Sequence, residues 1–156
     1  MKRWLAPIAL VITLAAGAGP AIAAPPTPVD PNQFQIACPG QKHLDAQLSG
    51  KGGLITLPGG RLISISPNQR ITLTGPSGTA TYVITGTIHL TPLADGGYGV
   101  TATGRNTIIV PDANGHPPGL FLTQGTFSWT LNSDFSERTL FSGNGTVTDV
   151  CQLLAP

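Results

Sequence analysis

Short runs in which apolar and polar residues alternate fill most of the chain from residue 33 onward. In the segment 120–131 one face is apolar and the opposite face polar: Phe121, Phe127, Trp129 and Leu131 against Gln124, Thr126, Ser128 and Thr130. A period of two is typical of strands with one buried face. After the N-terminal segment, apolar residues never recur at helical spacing over several turns. The pattern therefore predicts an all-β domain over residues 33–156 with no substantial helix.

Clusters of Gly, Pro, Asn and Asp separate these runs and mark the turns between strands. The predicted strands cover residues 34–38, 54–57, 61–66, 69–74, 79–91, 98–110, 120–131 and 138–153; in 42–49 a short helical turn competes. Successive strands joined by short turns pair most simply in order, so we expect a single-domain antiparallel meander of about eight strands. A small β-barrel is the favoured architecture and a β-sandwich is the alternative.

One glycine pattern recurs inside the long predicted strands. Gly-Thr followed by an apolar residue occurs at Gly86, Gly125 and Gly145. Glycine weakens the middle of a strand unless a bend, a bulge or a close approach requires it. We favour a bend that lets a long strand curl, while a ligand approaching the bare backbone is the functional alternative.

The N-terminal segment has the three parts of an export signal. Lys2 and Arg3 precede an uncharged apolar run at 5–16, and Ala21-Ile22-Ala23 supplies a small-x-small cleavage pattern. The apolar run is about a dozen residues, whereas a membrane span needs roughly 20. Residues 1–23 are therefore predicted to be a signal peptide, and the protein to be secreted or held at the cell envelope. Residues 24–32 contain four prolines and are predicted to form an extended tether.

The charge of the exported part excludes one class of partner. Without Lys2 and Arg3, six basic residues remain against seven acidic ones, which gives a net charge of −1. The six cations are scattered singly, whereas a nucleic-acid binder needs them clustered. We expect no nucleic-acid partner and no membrane span in the mature chain. The expected partner is an unknown envelope or extracellular ligand.

Two cysteines lie near the two ends of the predicted domain. Cys38 and Cys151 would be exposed to an oxidising compartment after export, so we predict that they form one disulfide. The alternatives are a reactive thiol or a metal pair. Neither cysteine has a His or a second Cys at ligand spacing, so no metal site is predicted.

Two polar residues fall on apolar faces of predicted strands. Asn106 shares a face with Ile108 and Val110, and Asp149 shares one with Phe141 and Val147. A buried carboxylate costs several kcal/mol unless it is paired, and Arg61 is a candidate partner for Asp149. One interpretation is a structural ion pair at a barrel mouth. The other is an interior polar pocket built from Asn106, Asp149 and an arginine.

Candidate chemistry is otherwise sparse. His116 lies in the loop 111–119, where it could serve a binding edge, and the chain has no catalytic or cofactor-binding motif. No cofactor is predicted. The favoured function is an exported noncatalytic binding or structural module with its site on a loop such as 111–119. The alternative is a small barrel enzyme or apolar-ligand carrier whose cavity is lined by Asn106, Asp149 and Trp129.

Three local patterns suggest a group of related proteins: PGGR at 58–61, GRN at 104–106 and GxGxVTDVCQL at 143–153. Over most of residues 38–154 the chain resembles small secreted β-domains of mycobacteria and related actinomycetes, a group without an established activity. The resemblance implies an envelope or extracellular location and a β fold closed by cysteines. It assigns no functional residue.

Overall fold

The computed structural model describes residues 20–156, so most of the predicted signal peptide lies outside the described part. Within this range the chain forms twelve strands, one short α-helix and two single-turn 3-10 helices at Pro39–Gln41 and Pro58–Gly60. In chain order the strands and the α-helix are β1 (Ile22–Ala23), β2 (Thr27–Pro28), β3 (Gln33–Cys38), β4 (Lys42–Ser49), β5 (Lys51–Thr56), β6 (Leu62–Ile65), β7 (Arg70–Gly75), β8 (Gly78–Val83), β9 (Thr87–Pro92), β10 (Tyr98–Val110), β11 (Gly119–Leu131), β12 (Glu137–Asp149) and α1 (Val150–Leu154).

The strands pair antiparallel in two sheets, which confirms the all-β antiparallel class. The larger, eight-stranded sheet has the order β1-β5-β6-β9-β10-β11-β12, with β2 also beside β5; the smaller sheet has the order β3-β4-β7-β8. The chain passes between the sheets after β2, β4, β6 and β8, so the order of a meander holds from β9 to β12 but not before. Strand pairing among residues 20–156 does not close into a ring, and the barrel is not confirmed.

The segment 42–49 forms a strand, and the competing helical turn is absent from it. This strand, β4, lies between β3 and β7 in the smaller sheet. Its buried residues Leu44 and Ala46 alternate with the exposed His43 and Asp45. Pairing on both sides and burial of one face outweigh the weak local preference for a turn.

The predicted strand 79–91 is two strands that belong to different sheets. Ile84, in the link between β8 and β9, is buried in the core between the sheets. Gly86 donates its N–H to the carbonyl of Arg105 at 2.8 Å. A Cβ at Gly86 would collide with the side-chain amide of Asn106. Gly86 is therefore needed where the chain crosses between sheets, and the prediction of a bend within one long strand is wrong at this position.

The predicted strand 138–153 ends at Asp149, where α1 begins. The side-chain Oδ1 of Asp149 accepts a hydrogen bond from the backbone N–H of Gln152 at 2.9 Å and caps the helix. Val150, Cys151 and Leu154 are buried on the inner side of this turn. Among the residues from 20 onward, no helix is long and apolar enough to cross a membrane.

The main core lies between the smaller sheet, α1 and one face of β11. It contains Ile36, Leu44, Leu73, Leu120, Leu122 and Val150 together with both cysteines. Cys38 and Cys151 are joined, with their Cα atoms 5.6 Å apart, so the predicted disulfide is confirmed. Alternation along 120–131 predicted a polar, solvent-facing side that carries Gln124 and Thr126, and Leu120 and Leu122 have the same parity. Leu120 and Leu122 are nevertheless buried, because the smaller sheet covers that face of the strand.

The Pro-rich residues 24–32 run beside β5. Thr27 and Pro28 pair with Gly52 and Lys51, and the N–H of Val29 donates to the carbonyl of Gly50 at 3.1 Å. The segment is extended and partly tied to the larger sheet.

A row of glycines crosses the three longest strands. Gly125 of β11 is opposite Gly104 of β10 on one side and Gly145 of β12 on the other. Gly125 and Gly145 have φ of +142° and +141°, values that L-residues with a side chain rarely adopt. A Cβ on either residue would collide with the backbone of the facing strand. The three strands therefore change direction together at this row.

The change of direction brings the two ends of the β10–β11 ladder together. Tyr98 is opposite Leu131 at one end of this ladder, and Val110 is opposite Gly119 at the other. Glu137, opposite Leu131, nevertheless bonds to the side chains of Asn114 and His116 in the loop 111–118. A ladder of 13 residues per strand would be about 40 Å long if straight. The sheet is therefore folded over on itself, with its concave face inside.

Substitution of Gly125 by Ala should destabilise the protein strongly. The positive φ alone costs about 1–3 kcal/mol for a residue with a Cβ, and overlap with the β12 backbone should raise the total to about 3 kcal/mol or more. Gly78→Ala is the matched control, since Gly78 has a φ of +132° but nothing within 4 Å of its ideal Cβ. Urea unfolding of the two variants measures the difference. Equal losses would contradict the proposed close approach at the glycine row.

Removal of the disulfide should also destabilise the domain. The bond joins residues 113 apart. Closing a loop of that length restricts the unfolded chain and so stabilises the folded protein by roughly 4.7 kcal/mol. Because measured values often fall below this, we expect the Cys38→Ser/Cys151→Ser double variant to lose about 2–5 kcal/mol in urea unfolding. A double variant as stable as the oxidised wild type would show that the bond is dispensable.

Candidate functional site

Asn106 is buried, as its position on the apolar face predicted, and its polar groups are satisfied locally. The side chain is 5% exposed. The side-chain Nδ2 of Asn106 donates to the backbone carbonyl of Thr103 at 2.9 Å. The backbone carbonyl of Asn106 accepts from the hydroxyl of Thr123 at 3.4 Å. The amide fills the space left by Gly86. These contacts give Asn106 a structural role at the point where the chain crosses from the smaller sheet to the larger one.

Asp149 and Arg61 are not brought together. Among residues 20–156 the ion pairs are His116–Glu137 and Arg138–Asp95. Asp149 caps α1, while Arg61 is exposed and precedes β6. Three strands separate β6 from β12 in the sheet order, at about 4.8 Å per strand. The interior pocket of Asn106, Asp149 and Arg61 is therefore absent from the described part of the chain.

His116 belongs to a polar cluster in which its main partner is Glu137. The sequence pattern did not predict this partner. Nε2 of His116 lies 2.6 Å from Oε1 of Glu137, and Nδ1 of the same ring lies 3.2 Å from the carbonyl oxygen of Pro117. Asn114 Nδ2 donates to the backbone oxygen and to Oε1 of Glu137 at 3.0 and 3.1 Å. The side chain of Glu137 is only 6% exposed and that of His116 21%. Together these bonds hold the loop 111–118 against the start of β12.

The two partners of His116 determine its protonation state. The Pro117 carbonyl and the Glu137 carboxylate both accept hydrogen bonds, so the imidazole meets both partners only when both ring nitrogens carry a proton. The bond to Glu137, followed by that to Pro117, raises the pKa of His116 above its ordinary value. These bonds therefore favour the imidazolium form of His116 beside a mostly buried carboxylate.

Two adjoining clefts open at the folded-over end of the sheet, and they share Val110 and Phe141. The first, the aromatic cleft, has a volume of about 120 Å³ and is lined by Ile108, Ile109, Val110, Pro111, Trp129, Leu131, Phe135, Glu137 and Phe141. The second, the proline cleft, has a volume of about 260 Å³ and is lined by Pro39, Val110, His116, Pro117, Pro118, Phe121, Leu140, Phe141 and Asp149. The His116–Glu137 pair joins the wall of one cleft to the wall of the other.

Aromatic side chains form the inner surface of this region. The ring of Phe141 lies 5.3 Å from that of Phe121 and 5.9 Å from that of Phe127, in tilted and edge-on arrangements. Phe127 is buried on the concave face with Ile108 and Val110, and Trp129 packs against them. This second core is the apolar face that alternation along 120–131 predicted.

One aromatic ring is held outward at the rim of the aromatic cleft. Phe135 is 58% exposed and has a φ of +65°. It stacks on Tyr98 with ring centroids 4.7 Å apart and an interplanar angle of 12°. Its turn is closed by the N–H of Asn132 donating to the carbonyl of Ser136 at 2.9 Å. A strained residue that displays an apolar ring to solvent favours a binding surface.

The remaining histidines do not join such a cluster. His43 and Asp45 are exposed on β4, where Asp45 accepts from Gln35 Nε2 at 3.1 Å. His89 is exposed on β9. From residue 20 to the end, no group of three or more His, Cys, Asp or Glu side chains could hold a metal ion.

Comparison with family models, with curated proteins and with solved structures finds no match for this chain. The functional assignment therefore depends on the geometry of the clefts and of the His116–Glu137 pair.

The His116–Glu137 pair should stabilise the fold only while His116 is protonated. Because folding raises the pKa of His116, its contribution is fully present below the unfolded value of about 6.5 and is lost as pH rises through the folded value. The stability difference between wild type and His116→Gln should therefore shrink from acidic to alkaline pH in urea unfolding. His89→Gln, an exposed histidine, is the control. A difference that does not change with pH would contradict the imidazolium assignment.

Proposed function

We propose that this protein is an exported, noncatalytic module that binds a ligand or partner outside the cell or at its envelope. Binding takes place at the aromatic and proline clefts, under the loop 111–118. The observation that supports this most directly is the convergence of two clefts on Phe141 beneath a loop fixed by the His116–Glu137 pair. Loops held on a rigid β scaffold are frequent binding sites.

Export is supported by sequence and by covalent structure. The positive start, apolar run and cleavage pattern within 1–23 are those of a signal peptide. The Cys38–Cys151 disulfide is the kind of bond that persists in oxidising compartments. The likeness to secreted actinomycete β-domains agrees with this location.

Binding is favoured over catalysis by the bonding of His116. A general base needs a free ring nitrogen directed at a reacting group. Nδ1 of His116 lies against the carbonyl oxygen of Pro117 and Nε2 against the carboxylate of Glu137, so neither ring nitrogen is free to act on a ligand. The pair is therefore suited to holding the loop in place rather than to moving a proton.

The alternative, a small barrel enzyme or apolar-ligand carrier, has less support in its original form. It required one cavity lined by Asn106, Asp149 and Trp129. Trp129 lines the aromatic cleft and Asp149 the proline cleft, while Asn106 is packed against Gly86. A binding site at the folded-over end of the sheet does not require the strands to close into a barrel.

A charge placed in the proline cleft should weaken binding there without unfolding the protein. Leu140 lines this cleft and is 47% exposed; Val147 is equally exposed on the same strand and lies outside both clefts. We expect wild type to bind the uncharged apolar dye Nile red saturably. Leu140→Asp should weaken this binding about tenfold or more, a loss of about 1.4 kcal/mol, and Val147→Asp should leave it unchanged. Fluorescence titration measures both.

Absence of saturable dye binding would contradict the proposed site. Equal effects of the two substitutions would do the same, because the loss would then come from surface charge in general.

A further inference from the structure

We propose that the aromatic cleft binds a small alkylammonium group, with the Glu137 carboxylate as its counter-charge. The inference rests on the proposed binding function and names the ligand class of that same site.

Three rings line the cleft and suit a cation. Trp129, Phe135 and Phe141 border a space of about 120 Å³ that also contains the Glu137 side chain. A cation over aromatic faces is attracted by their negative quadrupoles, and quaternary ammonium groups are the ligands most often held this way. Since pockets for drug-sized ligands are about 300–1,000 Å³, this space fits one compact group, with any longer ligand continuing into the proline cleft.

The charges around the cleft favour a cation over an anion. Glu137 is a mostly buried carboxylate among apolar side chains, which is costly without a counter-charge. Asp112 lies close enough to His116 to favour its charged form, and Asp149 lines the adjoining cleft. Arg138, the residue after Glu137, is directed away to Asp95 at 2.6 Å. His116 is therefore the cation that faces Glu137 in the described residues, and it approaches from the loop side.

His116 and a bound cation would share one carboxylate. While His116 is protonated, the charge of Glu137 is already balanced. After His116 loses its proton, Glu137 keeps only neutral donors, among them Asn114 Nδ2 at 3.1 Å. The attraction for a cation in the aromatic cleft is then larger. Affinity for an alkylammonium ligand should therefore rise with pH, whereas affinity for a neutral ligand of the same shape should not.

Choline and its uncharged isostere 3,3-dimethylbutanol test the inference directly. Trp129 is the only tryptophan after residue 20, so the fluorescence of the exported protein reports on this cleft. At the alkaline end of a pH titration, above the raised pKa of His116, we expect choline to bind about tenfold or more tightly than the alcohol. The preference should shrink at about pH 5.5, below the ordinary pKa of histidine.

Two substitutions test which residues produce the preference for choline. Glu137→Gln should remove the preference for choline, together with its pH dependence, so that choline and the alcohol bind with similar affinity. Phe135→Leu, at an exposed ring, should weaken choline about tenfold. Phe34→Leu is its matched control, because Phe34 is an exposed phenylalanine on β3 in the other sheet.

The outcomes test the alkylammonium inference separately from the proposed binding function. Equal binding of choline and the alcohol, no binding of either, or a full choline preference in Glu137→Gln would overturn the alkylammonium inference. If dye binding remained sensitive to Leu140→Asp in the same preparation, the binding function would stand without it. If that sensitivity were also lost, the proposed site itself would be wrong.

Discussion

The backbone freedom of a few aligned glycines is the constraint on which the rest of this structure depends. Gly125 and Gly145 face each other in positive-φ conformations, with no room for a side chain between the strands. Because the bend occurs in register, the strands fold over without losing their pairing. The fold-over creates the aromatic core, and it places the loop 111–118 against the start of β12. Without it, His116 and Glu137 would lie at opposite ends of a long flat sheet.

Much of the secondary structure follows from local patterns. The strand 98–110 has the predicted bounds, and the apolar faces of β10 and β11 follow from alternation. The errors arise where tertiary contacts decide: β4 is a strand because neighbours pair on both of its sides, and Leu120 and Leu122 are buried because a second sheet covers them. Helix α1 is too short for periodicity to reveal, although Asp149 is a residue type typical of helix caps.

The candidate site was only half predictable. His116 was recognisable as a loop histidine, but Glu137 lies 21 residues away and meets it only through the bend. Asn106 is buried on the predicted apolar face, whereas Asp149 is half-buried at the end of β12 and its predicted neighbour Val147 is 47% exposed. The partners of both polar residues are local: a backbone carbonyl for Asn106 and the end of a helix for Asp149. Parity along a strand predicts which side chains point inward, whereas the partner of each depends on which elements the topology brings together.

The position of the disulfide has a consequence for when the protein becomes able to bind. The final strand β12 supplies Glu137, Leu140 and Phe141 to the two clefts, and Cys151 follows its end by two residues. The strand β12 is thus the last wall of the site, and the helix α1 that directly follows it is tied to β3 by oxidation. In a reducing cytoplasm that tie is missing, and the last wall depends on strand pairing alone. If the protein is exported and binds a ligand, as proposed above, the site would be completed only after oxidation, and the precursor would not sequester the ligand inside the cell.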